Sequence, residues 1–138
     1  MKLIKIILFF TLVTSKSFAS TSYFKEGVEF FEKKEFDKAK FKFEQDLVFN
    51  PKSEKSYLYL SKIFNKQKKN ELEKKNLNSV ILINPKNEEA TYNLAMLKLK
   101  ESDFLGSKKL VEQLLIFCKD YCQKSEKLKI EIEDSLKK

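Results

Sequence analysis

Apolar residues return along this chain at helical spacing, in blocks separated by short polar turns. Tyr23, Phe24, Gly27, Phe30 and Phe31 fall at i, i+1, i+4, i+7 and i+8, one face of a 3.6-residue period. Ser20, Thr21 and Ser22 offer N-cap hydroxyls ahead of that face, and Lys33-Lys34-Glu35 reads as the turn that ends it. A second helix then carries Phe36, Ala39, Phe43 and Leu47 inward and closes at Asn50-Pro51. The next block places Tyr57, Leu60, Ser61 and Phe64 on one helix, turns through residues 66–70, and buries Leu72, Leu77, Val80 and Ile81 on another. A third block repeats the scheme with Tyr92, Leu94, Ala95 and Leu97, a turn at Glu101-Ser102-Asp103, then Phe104, Leu110, Val111, Leu114 and Leu115. From Tyr121 the pattern thins to Leu128, Ile132 and Leu136 at i, i+4 and i+8 among Lys and Glu, the mark of a helix that is apolar on one side only.

The blocks are copies of one unit. Asn50-Pro51 returns as Asn84-Pro85, a step of 34 residues, and each pair follows an apolar run, Leu47-Val48-Phe49 and then Ile81-Leu82-Ile83. Small residues recur at the same step (Gly27, Ser61, Ala95), as do the wedges Tyr23 and Tyr57, Phe30 and Phe64, and Phe43, Leu77 and Val111. A helix–turn–helix of this period closing on Pro resembles the tetratricopeptide repeat, TPR. The resemblance implies an all-α, single-domain helix–turn–helix solenoid of three TPR-like repeats, about residues 20–53, 54–87 and 88–120. Residues 121–138 then form a C-terminal capping helix that covers the last exposed core face. Three departures stand out. Glu73 occupies the small position filled by Ala39 and Ser107, so either its charge lies at the edge of the crossing or the helix is shifted in phase. Lys98 replaces the first-helix aromatic of the third repeat, and Lys119-Asp120 stands where its closing Pro belongs.

Residues 1–19 read as an address. Lys2 and Lys5 precede an apolar run over residues 6–13, and Ser17-Phe18-Ala19 is a small-x-small cleavage site. That run is far short of the roughly 20 residues that span a bilayer. The expectation is a signal peptide removed after Ala19, a periplasmic protein with no stable membrane span, and no lipid anchor, since no Cys follows the cleavage point. The competing reading is a retained anchor. Composition narrows the partner. All 28 basic residues are Lys, so the bidentate fork that reads bases and phosphates is missing. Removing the leader takes three Lys from a net charge of +8. A nucleic-acid partner is not expected.

Little in the chain suggests catalysis. There is no His, the commonest general base, and no glycine-rich loop, Gly27 and Gly106 being isolated. Acid pairs such as Glu88-Glu89 and Glu133-Asp134 read as solvated faces or partners of a helix N-terminus. Cys118 and Cys122 are the only cysteines, placed where the third repeat meets the cap. An even count in an exported chain favours a disulfide, and residues four apart on a helix put their Cα atoms about 6 Å apart, within bridging range. Free thiols and a redox role stay open. The spacing is not C-x-x-C, and the pair is too few for zinc, so no metal and no cofactor is expected.

What remains is recognition. The resemblance implies that the first helix of each repeat lines a concave groove for a peptide or partner helix. On this sequence the lining is Phe24, Val28 and Phe31, then Lys55, Leu58, Lys62 and Asn65, then Tyr92, Met96 and Leu99. The family's clamp for C-terminal carboxylates uses Lys and Asn at set places, which this chain does not fill in that combination. The reading is therefore a non-catalytic scaffold or adaptor of the bacterial envelope that binds a protein or peptide. A structural subunit of an envelope assembly and a redox accessory are the alternatives. Self-coverage of the groove, by neighbouring side chains or in a homodimer, is the competing use of its apolar residues.

Overall fold

The structure is a computed structural model and describes residues 15–137. Among these there are seven α-helices and no strand: α1 (Ser15–Glu32), α2 (Phe36–Phe49), α3 (Glu54–Lys66), α4 (Asn70–Ile83), α5 (Glu88–Lys100), α6 (Phe104–Phe117) and α7 (Cys122–Leu136). Within the described residues the chain forms two compact units, 15–59 and 60–137. The expected leader lies for the most part outside the described residues. No described helix is long and apolar enough to cross a membrane.

The 34-residue step is visible in the backbone itself. Lys34, Lys68 and Ser102 each have positive φ, at 62°, 56° and 61°. Each turn carries the same pair of hydrogen bonds. Glu35 N–H donates to Phe30 O at 2.9 Å and Lys34 N–H to Phe31 O at 3.0 Å, with Lys69 to Phe64 and Lys68 to Asn65, then Asp103 to Lys98 and Ser102 to Leu99, at matching lengths. This is the Schellman closure, in which a left-handed residue lets two orphan carbonyls of the ending helix be satisfied. Glycine is the usual choice there; this chain uses Lys twice and Ser once.

In the unit of residues 15–59, α1 and α2 cross where Gly27 meets Phe43. A Cβ on Gly27 would stand 2.7 Å from Cε1 and 2.8 Å from Cδ1 of that ring, so only glycine lets the helices approach this closely. Phe43 is fully buried and stacks on Tyr59 at 5.0 Å between centroids. The turn at Pro51 is seated by a buried carboxylate: Ser56 Oγ donates to Asp46 Oδ2 at 2.5 Å, and Ser53 Oγ to Ser56 Oγ at 3.0 Å. Ser20, Thr21 and Ser22 do not stand at an N-cap, because the described part of α1, Ser15–Glu32, runs through them. Ser22 Oγ instead donates to Glu26 one turn on, at 2.8 Å.

In the unit of residues 60–137, Ala95, Val111, Leu128 and Ile132 form a buried cluster to which α5, α6 and α7 all contribute. Ser107 sits in the tight α5–α6 crossing and donates its Oγ to Ala95 O at 2.7 Å. Asp103 caps α6 by accepting from Gly106 N–H at 2.9 Å, and its carboxylate fills the space where a Cβ on Gly106 would go. Two expected core positions are corrected. Leu72 is 41% exposed because it falls in the first turn of α4, where the inward stripe passes through Glu73, Asn76, Leu77 and Val80. Leu136 is 42% exposed because it is the last residue of α7, beyond the reach of the cluster. Ile63, fully buried, was outside the expected stripe.

Candidate recognition helices and the disulfide turn

Phe24 and Phe31 stand two turns apart on α1, so they share one face, and that face is already occupied. Tyr59 makes edge contacts with both rings, at 5.7 Å to Phe24 and 5.2 Å to Phe31. Phe43 meets Phe24 at 5.8 Å, and Phe36 meets Phe31 at 5.6 Å. The two rings are half-buried members of an aromatic cluster centred on Tyr59, a residue the helical pattern did not single out. Val28 between them is half-buried, Leu58 is half-buried, and Lys55 is exposed.

The expected lining in the other unit is engaged as well. Lys62 Nζ lies 2.8 Å from Glu89 Oε1. Asn65 Nδ2 donates to both oxygens of Glu73, at 2.9 and 3.1 Å. This resolves the Glu73 anomaly: the register is unshifted, the residue is 3% exposed, and the carboxylate is buried in the place of Ala39 and Ser107. Burial pushes the Glu73 carboxyl up from its ordinary value, against the lowering effects of the Asn65 amide and the Lys100 charge. Tyr92, Met96 and Leu99 are half-buried against the Ala95–Val111–Leu128–Ile132 cluster. Tyr92 also meets Tyr121 at 5.4 Å between ring centroids.

Cys118 and Cys122 form a disulfide, with Cα atoms 5.3 Å apart. The pair does not lie within one helix. Cys118 caps the end of α6 in extended conformation, its N–H donating to Leu114 O, and Cys122 opens α7. Between them, three successive backbone N–H groups converge on Glu88, the first residue of α5. Lys119 N–H donates to Oε1 at 2.9 Å, and Asp120 and Tyr121 N–H each donate to Oε2 at 2.9 Å. These bonds, that of Lys119 first among them, hold the Glu88 carboxyl below the usual carboxylate range. The sequence pattern reads Glu88 as part of a solvated face or as a partner of a helix N-terminus, and spacing alone gives no hint of a contact 31 residues away.

No protein-family model matches the chain, and no curated protein matches it. Solved structures do. The first TPR of Spaghetti (RPAP3), bound to the HSP90 peptide SRMEEVD, superposes with a TM-score of 0.77 at 13% identity, covering 86% of this chain and 94% of that one. The chain has the tetratricopeptide-repeat fold. The TPR2B domain of yeast Sti1, in a complex with pHsp70, gives a TM-score of 0.77 at 12% identity, over 85% of this chain and 98% of its own. The Sgt2 TPR domain from Aspergillus fumigatus gives 0.73 at 19% identity, over 86% and 82%. In TPR terms α1, α3 and α5 are first helices, and α2, α4 and α6 are second helices. The repeat-closing turns are Asn50-Pro51, Asn84-Pro85 and Cys118-Lys119.

Proposed function

We propose that this TPR chain is a non-catalytic interaction module that holds a protein or peptide on its first helices, and that it does so in the bacterial envelope. The fold carries the first part, since TPR domains of the same architecture are seen with bound peptides. The bridged cysteines favour an oxidising compartment. The leader pattern favours export with cleavage after Ala19, which leaves α1 from Ser20 onward. Bridging across a helix junction also favours a staple over the reactive centre of a redox accessory.

The way the lining is packed decides which side chains a partner meets. Phe24, Phe31, Tyr92, Met96 and Leu99 hold their own units together, so replacing them tests stability before binding. Val28, Lys55 and Leu58 are the better contacts, and with an exposed Lys among them the reading favours a segment with an apolar anchor beside an acidic residue. The experiment is site-specific photocrosslinking in the native envelope, with the reactive side chain placed at Lys55 or at Ile116, an 85% exposed residue on a second helix. A discrete adduct from position 55 and none from 116 is expected. An adduct from 116 alone would move the binding surface to the second helices and sink the first-helix reading.

A further inference from the structure

We propose that Glu88 is the positioning residue of a redox latch: its carboxylate folds the 118–122 turn into the shape in which the Cys118 and Cys122 thiols meet. The turn differs from its two predecessors in one decisive respect. At the 34-residue step, Lys119 stands where Pro51 and Pro85 stand, and proline has no N–H. Only the third turn therefore offers an N–H at that place, and Glu88 takes it together with the next two. Three consecutive amides around one carboxylate make an anion nest, filled here by the protein's own side chain.

The rest of the turn is anchored independently of sulfur. Tyr121 O accepts from Ser125 N–H at 2.9 Å and Ser125 Oγ at 2.7 Å, which fixes the first turn of α7, and the Tyr121 ring rests against Tyr92 of α5. Cys118 and Cys122 flank this fixed segment at a Cα separation of 5.3 Å, inside the range a bridge requires. Closure is ordinary thiol–disulfide exchange with a disulfide oxidant such as oxidised glutathione. One cysteine thiolate attacks the oxidant and expels a first glutathione thiolate; the other cysteine attacks the mixed disulfide and expels a second. Two protons and two electrons thus pass from the protein dithiol to two glutathione thiols. Glu88 acts on the second, intramolecular step, whose effective concentration rises when the loop is already ordered. Once closed, the bridge ties the end of α6 to the start of α7, the helix that brings Leu128 and Ile132 onto Ala95 and Val111.

The test equilibrates the full chain with reduced and oxidised glutathione and measures the bridged fraction by alkylation and mass spectrometry. Glu88→Gln should lower the effective concentration of the thiol pair roughly tenfold, the scale of one lost charge-assisted hydrogen bond, while Glu126→Gln on the exposed face of α7 leaves it unchanged. An exchange constant for Glu88→Gln equal to that of the parent overturns the proposal. Amide hydrogen exchange on the Cys118→Ser/Cys122→Ser protein, which keeps Glu88, answers the same question from the other side. The amides of Lys119, Asp120 and Tyr121 should stay protected without the bridge. Exchange at unfolded-chain rates would mean that the disulfide orders the turn, and the proposal fails.

Discussion

Gly27→Ala is the substitution whose sign separates packing from propensity. Alanine in mid-helix is favoured over glycine by about 1 kcal/mol, so at an open site the change stabilises. Here the new Cβ would stand 2.7, 2.8 and 3.0 Å from three carbons of the Phe43 ring. Ordinary carbon contacts lie at about 3.5–4.0 Å, so the ring or the helix must withdraw by roughly 0.8 Å. The ring has nowhere to go. It is fully buried, stacked on Tyr59 at 5.0 Å and met by Phe24 at 5.8 Å. Overpacking of this kind costs about 1–3 kcal/mol, so the net expectation is destabilisation by roughly 0–2 kcal/mol after the propensity gain.

Phe43→Leu supplies the control. Alone it opens a cavity, at a cost on the order of 1–2 kcal/mol. With the ring gone, Gly27→Ala should recover its propensity gain and become stabilising. The double-mutant cycle should therefore show a coupling of about 1–3 kcal/mol. Urea unfolding followed by far-UV circular dichroism measures all four proteins, with equal m-values as the check that the same surface is exposed in each. Additivity to within about 0.5 kcal/mol, or a rise in stability for Gly27→Ala alone, would refute the α1–α2 crossing described above.

Lys68→Gly should stabilise the protein by about 0.5–1 kcal/mol, because a non-glycine residue at φ 56° carries left-handed strain that exceeds the entropy glycine adds to the unfolded chain; Lys68→Val should destabilise it, and the urea midpoints of the two decide. Glu73 has a folded pKa above its ordinary 4.5 because burial disfavours the charge. Between those values the native state holds the extra proton, so stability falls as pH rises through the window and the deficit is complete above it. Glu73→Gln, which can still accept from Asn65, should be more stable than the parent at neutral pH and flatter in its pH profile just above 4.5; an identical profile would show that the carboxylate is solvated.

The fold was legible because the quantities that set it repeat in the chain. Gly27, Ser61 and Ala95 recur at one step, and Phe43, Leu77 and Val111 at the same step, all six buried. Their sizes run in opposite directions: the smallest residue, Gly27, faces the largest ring, Phe43, while Ala95 shares its cluster with the smaller Val111. A helix crossing has a fixed volume to fill, and sequence periodicity reports that volume directly. The turns were placed correctly for the same reason, although nothing in Lys34, Lys68 or Ser102 announced a left-handed residue. The Schellman bonds are made by backbone, so side-chain identity carries little of that information.

The recognition surface was less legible, and Phe24 and Phe31 show why. Helical spacing fixes which face of α1 a side chain occupies, but it does not say what lies opposite. Tyr59 lies opposite, arriving from α3, and it turns two candidate anchors into parts of an aromatic cluster. Asn65 and Lys62 behave alike: each falls where the TPR resemblance puts lining, and each is taken by an acid of a neighbouring helix, Glu73 and Glu89. Long-range partners of this sort leave no periodic trace, because each is a single substitution against the repeat. Glu73 is the clearest instance. In sequence it read as either a charge at the edge of the crossing or a shift in phase, yet with Asn65 about one helical turn beyond Ser61 and within hydrogen-bond reach, the pair is the local answer to a carboxylate at a crossing built for alanine. Departures from the repeat are thus where the chain stops describing a generic TPR scaffold. The side chain of Glu73 and the free amide that Lys119 offers to Glu88 in place of a proline are the ones whose chemistry is this protein's own.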